Sequence, residues 1–313
     1  MRLPMDPIEY AKSFYFQHYT ILNWWNITPD FREVLGHGAP QVCRFCGRRA
    51  PEVTFRLKAH AIPEALGNKG ILSHYECDEC NKHFGSTIEN DLGNWSFPMR
   101  TLMRISGKKG VPTLKNEQDG WRIECDDGTN LRVSHNRIDF VFEVDEDQKL
   151  IRFTLKRQPF VPLAVRKALV KIGLSLLPEV EVSNFEEAIR WIRDPQHSNE
   201  RMVRMPVLRT LTPGPVNNQW ITAALLRRSE RNSALPYAFL ILSIANETYQ
   251  VMLPSPQMDP SLDAASMQMP AFPIGMVKNS GTICEALNLS ESERVVDEVI
   301  KVYMSYGSRA SVA

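Results

Sequence analysis

The sequence predicts an α+β protein in which a small zinc-bound module lies between an N-terminal helical extension and a larger mixed α+β domain. Three observations carry that prediction. Two cysteine knuckles, Cys43-Arg-Phe-Cys46 and Cys77-Asp-Glu-Cys80, have the spacing of a four-thiolate metal site. From Trp121 onward, apolar and polar residues alternate in short runs broken by turn residues, the texture of β-hairpins. Leu163 to Leu177 then repeats apolar residues at helical spacing behind Pro162. The expected boundaries are 1–40 for the extension, 41–116 for the module and 117–313 for the C-terminal domain.

Composition narrows the class. A chain of 313 residues has room for two domains of roughly 150 residues each. With 43% hydrophobic and 9% aromatic residues it is globular rather than disordered. Thirty-seven basic against thirty-six acidic residues leave a net charge of +1, so a surface for nucleic acid has to be a local patch. Four of six cysteines stand at metal spacing, and Cys125 and Cys284 are left over, which is too sparse for a secreted disulfide framework. The longest apolar run, Tyr237 to Ala245, is interrupted by Ser243, and the N-terminus shows no signal-peptide pattern. These features predict a soluble protein of a reducing cytoplasm that makes no membrane contact.

Taken in order, Ile8 to Ile21 reads as a helix, in a segment crowded with Tyr10, Phe14, Tyr15, Phe16, Tyr19, Trp24 and Trp25. That aromatic segment either packs on the main body or serves as a base-stacking or protein-docking arm. Val53 to Leu57 reads as a strand, and Asn81 to Leu92 as a helix. Trp121–Cys125 with Leu131–Ser134, and Phe140–Val144 with Leu150–Leu155, read as two hairpins. Ser183 is a candidate helix cap with Glu186 three residues on. Strand-like runs follow at Trp220–Leu226, Ala238–Ala245 and Thr248–Leu253. After a loop from Pro254 to Pro273, a closing helix is expected from Ser290 to Tyr303, capped by Ser290 with Glu293.

The chemistry concentrates around the knuckles. Thirty residues separate Cys46 from Cys77, more than the usual 15 to 20 of a zinc ribbon, which leaves room for a functional hairpin. Zinc held by four thiolates has no open position, so its role is structural. Inside the loop stands Ala59-His60-Ala61-Ile62-Pro63. Hydrolysis of a phosphodiester needs a base for water, which a neutral imidazole supplies, and a divalent cation on the phosphate. Asn81 offers an amide oxygen to such a cation or caps a helix; Glu89, two turns along the same helical face, is a second ligand, a supporting carboxylate or a solvated one. His83 contacts phosphate, assists or packs.

At these residues the chain resembles the HNH endonuclease family. The matching motifs are CRFC, AHAIPEALGNKG and ECDECNKHFGSTIENDLG, from Cys43 to Leu92. The second and third resemble a bacterial subgroup often found as effectors of antiphage defence. The resemblance implies a ββα-metal fold, His60 as general base, Asn81 as a ligand of catalytic Mg²⁺ or Mn²⁺, and structural Zn²⁺ on Cys43, Cys46, Cys77 and Cys80. It further implies DNA as substrate, with a homodimer or a defence-system subunit as partner. Many family members carry Asp, Glu or His immediately before the catalytic histidine, whereas this chain has Ala59. The second metal ligand then has to come from Glu89, with Glu64 and Asn68 as substitutes; the alternative is a non-cleaving, zinc-stabilised binding module. Arg100, Arg104, Lys108, Lys109 and Lys115 form an acid-free stretch that either tracks a phosphate backbone or is an ordinary basic surface.

Overall fold

The computed structural model describes residues 6–118, 120–125, 128–135, 142–198, 202–203, 205–229, 234–263, 267–274 and 281–308. Helix α1 (Pro7–His18) starts where Asp6 accepts the Ile8 amide at 2.9 Å and Pro7 presets the first turn. Strands β1 (Tyr19–Ile27), β2 (Glu33–Leu35) and β3 (Ile71–Ser73) precede helices α2 (Asp78–Ser86) and α3 (Ile88–Leu102). Then come β4 (Leu114–Asn116), β5 (Trp121–Cys125), β6 (Leu131–His135), β7 (Phe142–Asp145) and β8 (Leu150–Lys156), followed by α4 (Pro162–Leu176) and α5 (Glu186–Arg193). The remaining strands are β9 (Val207–Leu211), β10 (Ile221–Arg228), β11 (Ala238–Ile244), β12 (Glu247–Leu253), β13 (Ile283–Leu287) and β14 (Val299–Ser305).

The main sheet is antiparallel with order β1-β10-β11-β12-β9-β13. Strand β11 shows why it is buried on both faces. Leu240 and Leu242 join the core with α4, while Phe239 and Ile241 join Tyr15, Tyr19 and Phe272 on the opposite side. Helix α4 is buried along its whole length. A Cβ on its Gly173 would lie 2.4 Å from Leu253 Cδ2, so the glycine lets the helix close onto β12. Two three-stranded sheets, β4-β5-β6 and β14-β8-β7, share a third cluster containing Leu102, Ile123, Phe153 and Leu155.

Both expected hairpins form, pairing Trp121 with His135 and Phe142 with Phe153; Phe140 lies outside the described residues. The α4 helix and the strands β10, β11 and β12 also lie where periodicity puts them. Four expectations are corrected. The first helix ends at His18, because Tyr19–Ile27 pairs with β10 and alternately buries Tyr19, Trp25 and Ile27. Part of the aromatic segment packs, with Tyr15 donating to the Pro270 carbonyl and Trp25 to Glu33, while Tyr10, Phe16 and Trp24 are exposed. The closing helix is instead strand β14, paired with β8 from Val299 to Ser305, with Ile300, Val302 and Met304 against the third cluster. Ser183 lies within a 3₁₀ turn spanning Glu179–Phe185, and α5 begins at Glu186. Val53–Leu57 is a loop, because Thr54 Oγ1 and the Arg56 and Leu57 amides all donate to Asp78 at the start of α2.

Candidate active site and metal centre

The four cysteine sulfurs lie within 4.8 Å of one another, and Cys46 and Cys77 are 3.8 Å apart. Zinc–sulfur bonds of about 2.3 Å place tetrahedral neighbours about 3.8 Å apart, so the cradle fits Zn²⁺. The Cys43 thiol is drawn down to about 4, chiefly by a hydrogen bond from Cys80 and, against burial, by the amides of Cys77, Cys46 and Phe45. The same contact pushes Cys80 up. Sulfurs this close ionise together only around a cation.

The knuckles are fixed to α4 rather than standing alone. Arg44 of the first knuckle donates to the carbonyls of Leu174 and Ser175 at 2.8 and 2.9 Å, at the negative end of α4. At the other end, Asp91 of α3 accepts the Val161 amide at 2.9 Å, at the helix N-cap. Phe45 and Phe84 meet edge to face at 5.0 Å beneath the metal cradle.

His60 lies opposite Leu72 of β3 in an antiparallel bridge, with the Ser73 amide donating to Ala59 and the Ala61 amide to Ile71. The loop between them is locked by Asn68, which is wholly buried. Its Nδ2 donates to the carbonyls of Ile62 (2.7 Å) and Ile71 (3.0 Å), and its Oδ1 accepts the amides of Gly70 and Ile71, each at 3.0 Å. With both amide atoms committed to backbone, Asn68 is corrected from substitute metal ligand to loop lock. Next to it, a Cβ on Gly70 would lie 2.1 Å from the Phe31 carbonyl oxygen, so only glycine lets β2 pair in parallel with β3.

His60 is half-buried, and its Nε2 stands 3.8 Å from Glu64 Oε2. Burial pulls its pKa below the ordinary histidine value, against the opposing pull of Glu64 and Glu89. Burial thus favours the uncharged imidazole, whose Nε2 faces Glu64 and whose Nδ1 is buried with no hydrogen-bond partner among the described residues. Glu64 lies four residues after His60, at the start of the 3₁₀ turn Glu64–Leu66. It stood in the sequence only as a substitute ligand; its spacing from His60 was the available signal.

The helix expected over Asn81–Leu92 is two helices. Thr87 breaks it at φ −119° and ψ −103°, where the Ser86 and Thr87 hydroxyls donate to the His83 carbonyl. Asn81 and Glu89 thus lie on different helices and share no common face. Asn81 stands within the first turns of α2, whose cap position is Cys77, so it is not the helix cap. His83 stacks obliquely by Phe84 at 5.5 Å. Glu89 meets Lys171 of α4 at 2.9 Å.

Among the described residues, the cysteines are the one group of three or more ligand side chains converging within 4.8 Å. His60, Glu64 and Glu89 are looser. That suits a hydrated magnesium or manganese ion, which needs one or two protein oxygens and keeps several waters.

The basic stretch divides. Arg100 departs from the expectation of a surface cation: its guanidinium donates to Ser96, Ala65 and Gly93, and burial draws it down to about 10. Arg104 is partly buried, and Lys115 pairs with Glu117 at 2.7 Å. Lys108 and Lys109 are exposed on the turn closed by Gly107 and Gly110. A Cβ on Gly107 would lie 3.3 Å from Ala65, which places this turn against the segment carrying Glu64.

Residues 43–96 match the family model described as HNH endonuclease. The chain therefore carries an HNH endonuclease domain over that stretch, built in the structure as a bridged hairpin and helix around a cysteine cradle. No curated protein matches the chain, and neither does any solved structure. Among the described residues no helix is long and apolar enough to cross a membrane.

Proposed function

We propose that the protein is a metal-dependent endonuclease that hydrolyses DNA phosphodiester bonds, with His60 as general base. The observation that carries this reading is His60, half-buried on the bridge to β3 with Glu64 Oε2 3.8 Å from its Nε2, in the stretch that matches the HNH endonuclease model and holds a cysteine cradle of zinc dimensions. Bound Mg²⁺ or Mn²⁺ would neutralise the scissile phosphate and the departing 3′ oxygen. Glu64, Glu89 and Asn81 are the oxygen donors that would hold it. Glu64 supplies, from within the loop, the carboxylate that Ala59 lacks, and this favours cleavage over a purely binding role. His60 takes the proton from the attacking water, and burial favours the uncharged imidazole that can accept it. Lys108 and Lys109 meet the phosphate backbone beside the site. Assembly of two copies, or with a partner subunit, would allow both strands to be cut. A place in defence against foreign DNA follows from the motif resemblance.

Incubation of the purified protein with supercoiled plasmid under Mg²⁺ and Mn²⁺ tests this reading. We expect metal-dependent nicking that His60→Ala lowers at least about 100-fold, on the scale of general-base catalysis, with zinc content unchanged. Native cutting by that variant would remove His60 from the mechanism.

A further inference from the structure

We propose that Lys171, on α4 outside the HNH match, is a positioning residue that holds Glu89 in place at the metal-facing side of the nuclease site. The inference deepens the endonuclease reading and rests on it. Lys171 lies on α4 between Val170 and Ile172 and is 1% exposed. Its Nζ stands 2.8 Å from Glu76 Oε2 and 2.9 Å from Glu89 Oε1. Neither Glu76 oxygen has a directed hydrogen bond among the described residues, so the ammonium is its charge partner. The rings of Phe45 and Phe84, the pair beneath the cysteine cradle, lie 5.7 and 5.5 Å from Nζ.

Glu76 is sealed, whereas Glu89 is 17% exposed. Of the two carboxylates on this ammonium, Glu89 is the member open to solvent. A carboxylate with one oxygen fixed on Lys171 keeps its other oxygen for a hydrated divalent cation at little further ordering cost.

The test compares Mn²⁺ binding, followed by electron paramagnetic resonance, with plasmid nicking as a second readout. Lys171→Met leaves Glu76 buried without a counter-charge and risks misfolding. Lys171→Met/Glu76→Gln removes that burden while still releasing Glu89. Lys167→Met, one turn earlier on α4, removes another fully buried lysine whose Nζ donates to the Asp194 carbonyl at 2.7 Å. We expect the Lys171→Met/Glu76→Gln variant to keep its zinc and bind Mn²⁺ at least tenfold more weakly, with Lys167→Met binding as the parent does. Equal Mn²⁺ affinity in the double variant and the parent would overturn the proposal, as would equal weakening in Lys167→Met. A parent that binds Mn²⁺ yet leaves DNA intact would sink the endonuclease reading, and the comparison of affinities would still decide the role of Lys171. A parent that binds no Mn²⁺ at millimolar concentration overturns both.

Discussion

His60 and Asn68 share one loop, yet their replacements should read out differently. The His60 ring is half-buried, and its loss removes a proton acceptor while leaving the backbone bridge to Leu72 in place. His60→Ala is therefore expected to cost activity and little stability. Asn68 is fully enclosed and its amide answers four backbone groups. Asn68→Ala leaves those groups unpaired in the interior, at about 1–3 kcal/mol for each that finds no water. Thermal unfolding should then fall with nicking, by on the order of 3 kcal/mol in total. A variant as stable as the parent would show that water replaces the amide and that the loop is not locked by this side chain.

Helix α4 joins the nuclease site to the main sheet, and its buried cations set its response to pH. Lys167 is held down to about 8 by burial, below the roughly 10.4 of an unfolded lysine. At pH 7 both native and unfolded chains carry the proton, and the native state bears the full burial cost. As pH rises through 8 toward about 10.4, the native state releases the proton first, so the contribution of this group to stability increases over that window. Urea denaturation should show the parent gaining on Lys167→Met between pH 8 and pH 10, on the order of 1–2 kcal/mol. A constant difference would place the Lys167 ammonium in contact with water. The ends of the same helix explain why α3 and the knuckles sit where they do: Asp91 serves its N-cap and Arg44 its last carbonyls, the charge order that the helix dipole favours.

Across the molecule, β1 from the start of the chain closes a sheet built otherwise from residues beyond 200, and the HNH domain packs against the helix lying on that sheet. The cysteine cradle belongs to the same hydrophobic cluster as α4 and β11, so metal loss should be felt far from the sulfurs. Cys77→Ser is expected to lower zinc below one ion per chain and to reduce the unfolding temperature of the whole protein, measured by elemental analysis with calorimetry. An unchanged main transition would mean that the cradle folds independently of the sheet.

The knuckles, the His60 loop, the two hairpins and α4 were legible in the chain because their signals are local. Ligand spacing, period-two alternation and period-3.6 repetition are fixed by a few neighbouring residues. Strands β1 and β14 were not, since Tyr19–Ile27 and Val299–Ser305 are strands by virtue of distant partners, β10 and β8. The same holds at the site. Thr87 separates Asn81 from Glu89 by a break that helical periodicity conceals, and Arg100 leaves the surface for the carbonyls of Ala65 and Gly93. Glu89 finds its charge partner in Lys171, eighty-two positions along the chain. Spacing gives the type of chemistry a cysteine or histidine can perform. Which carboxylate faces His60, and which cation holds it, depends on burial and Coulombic pairing, which exist only once distant segments are brought together.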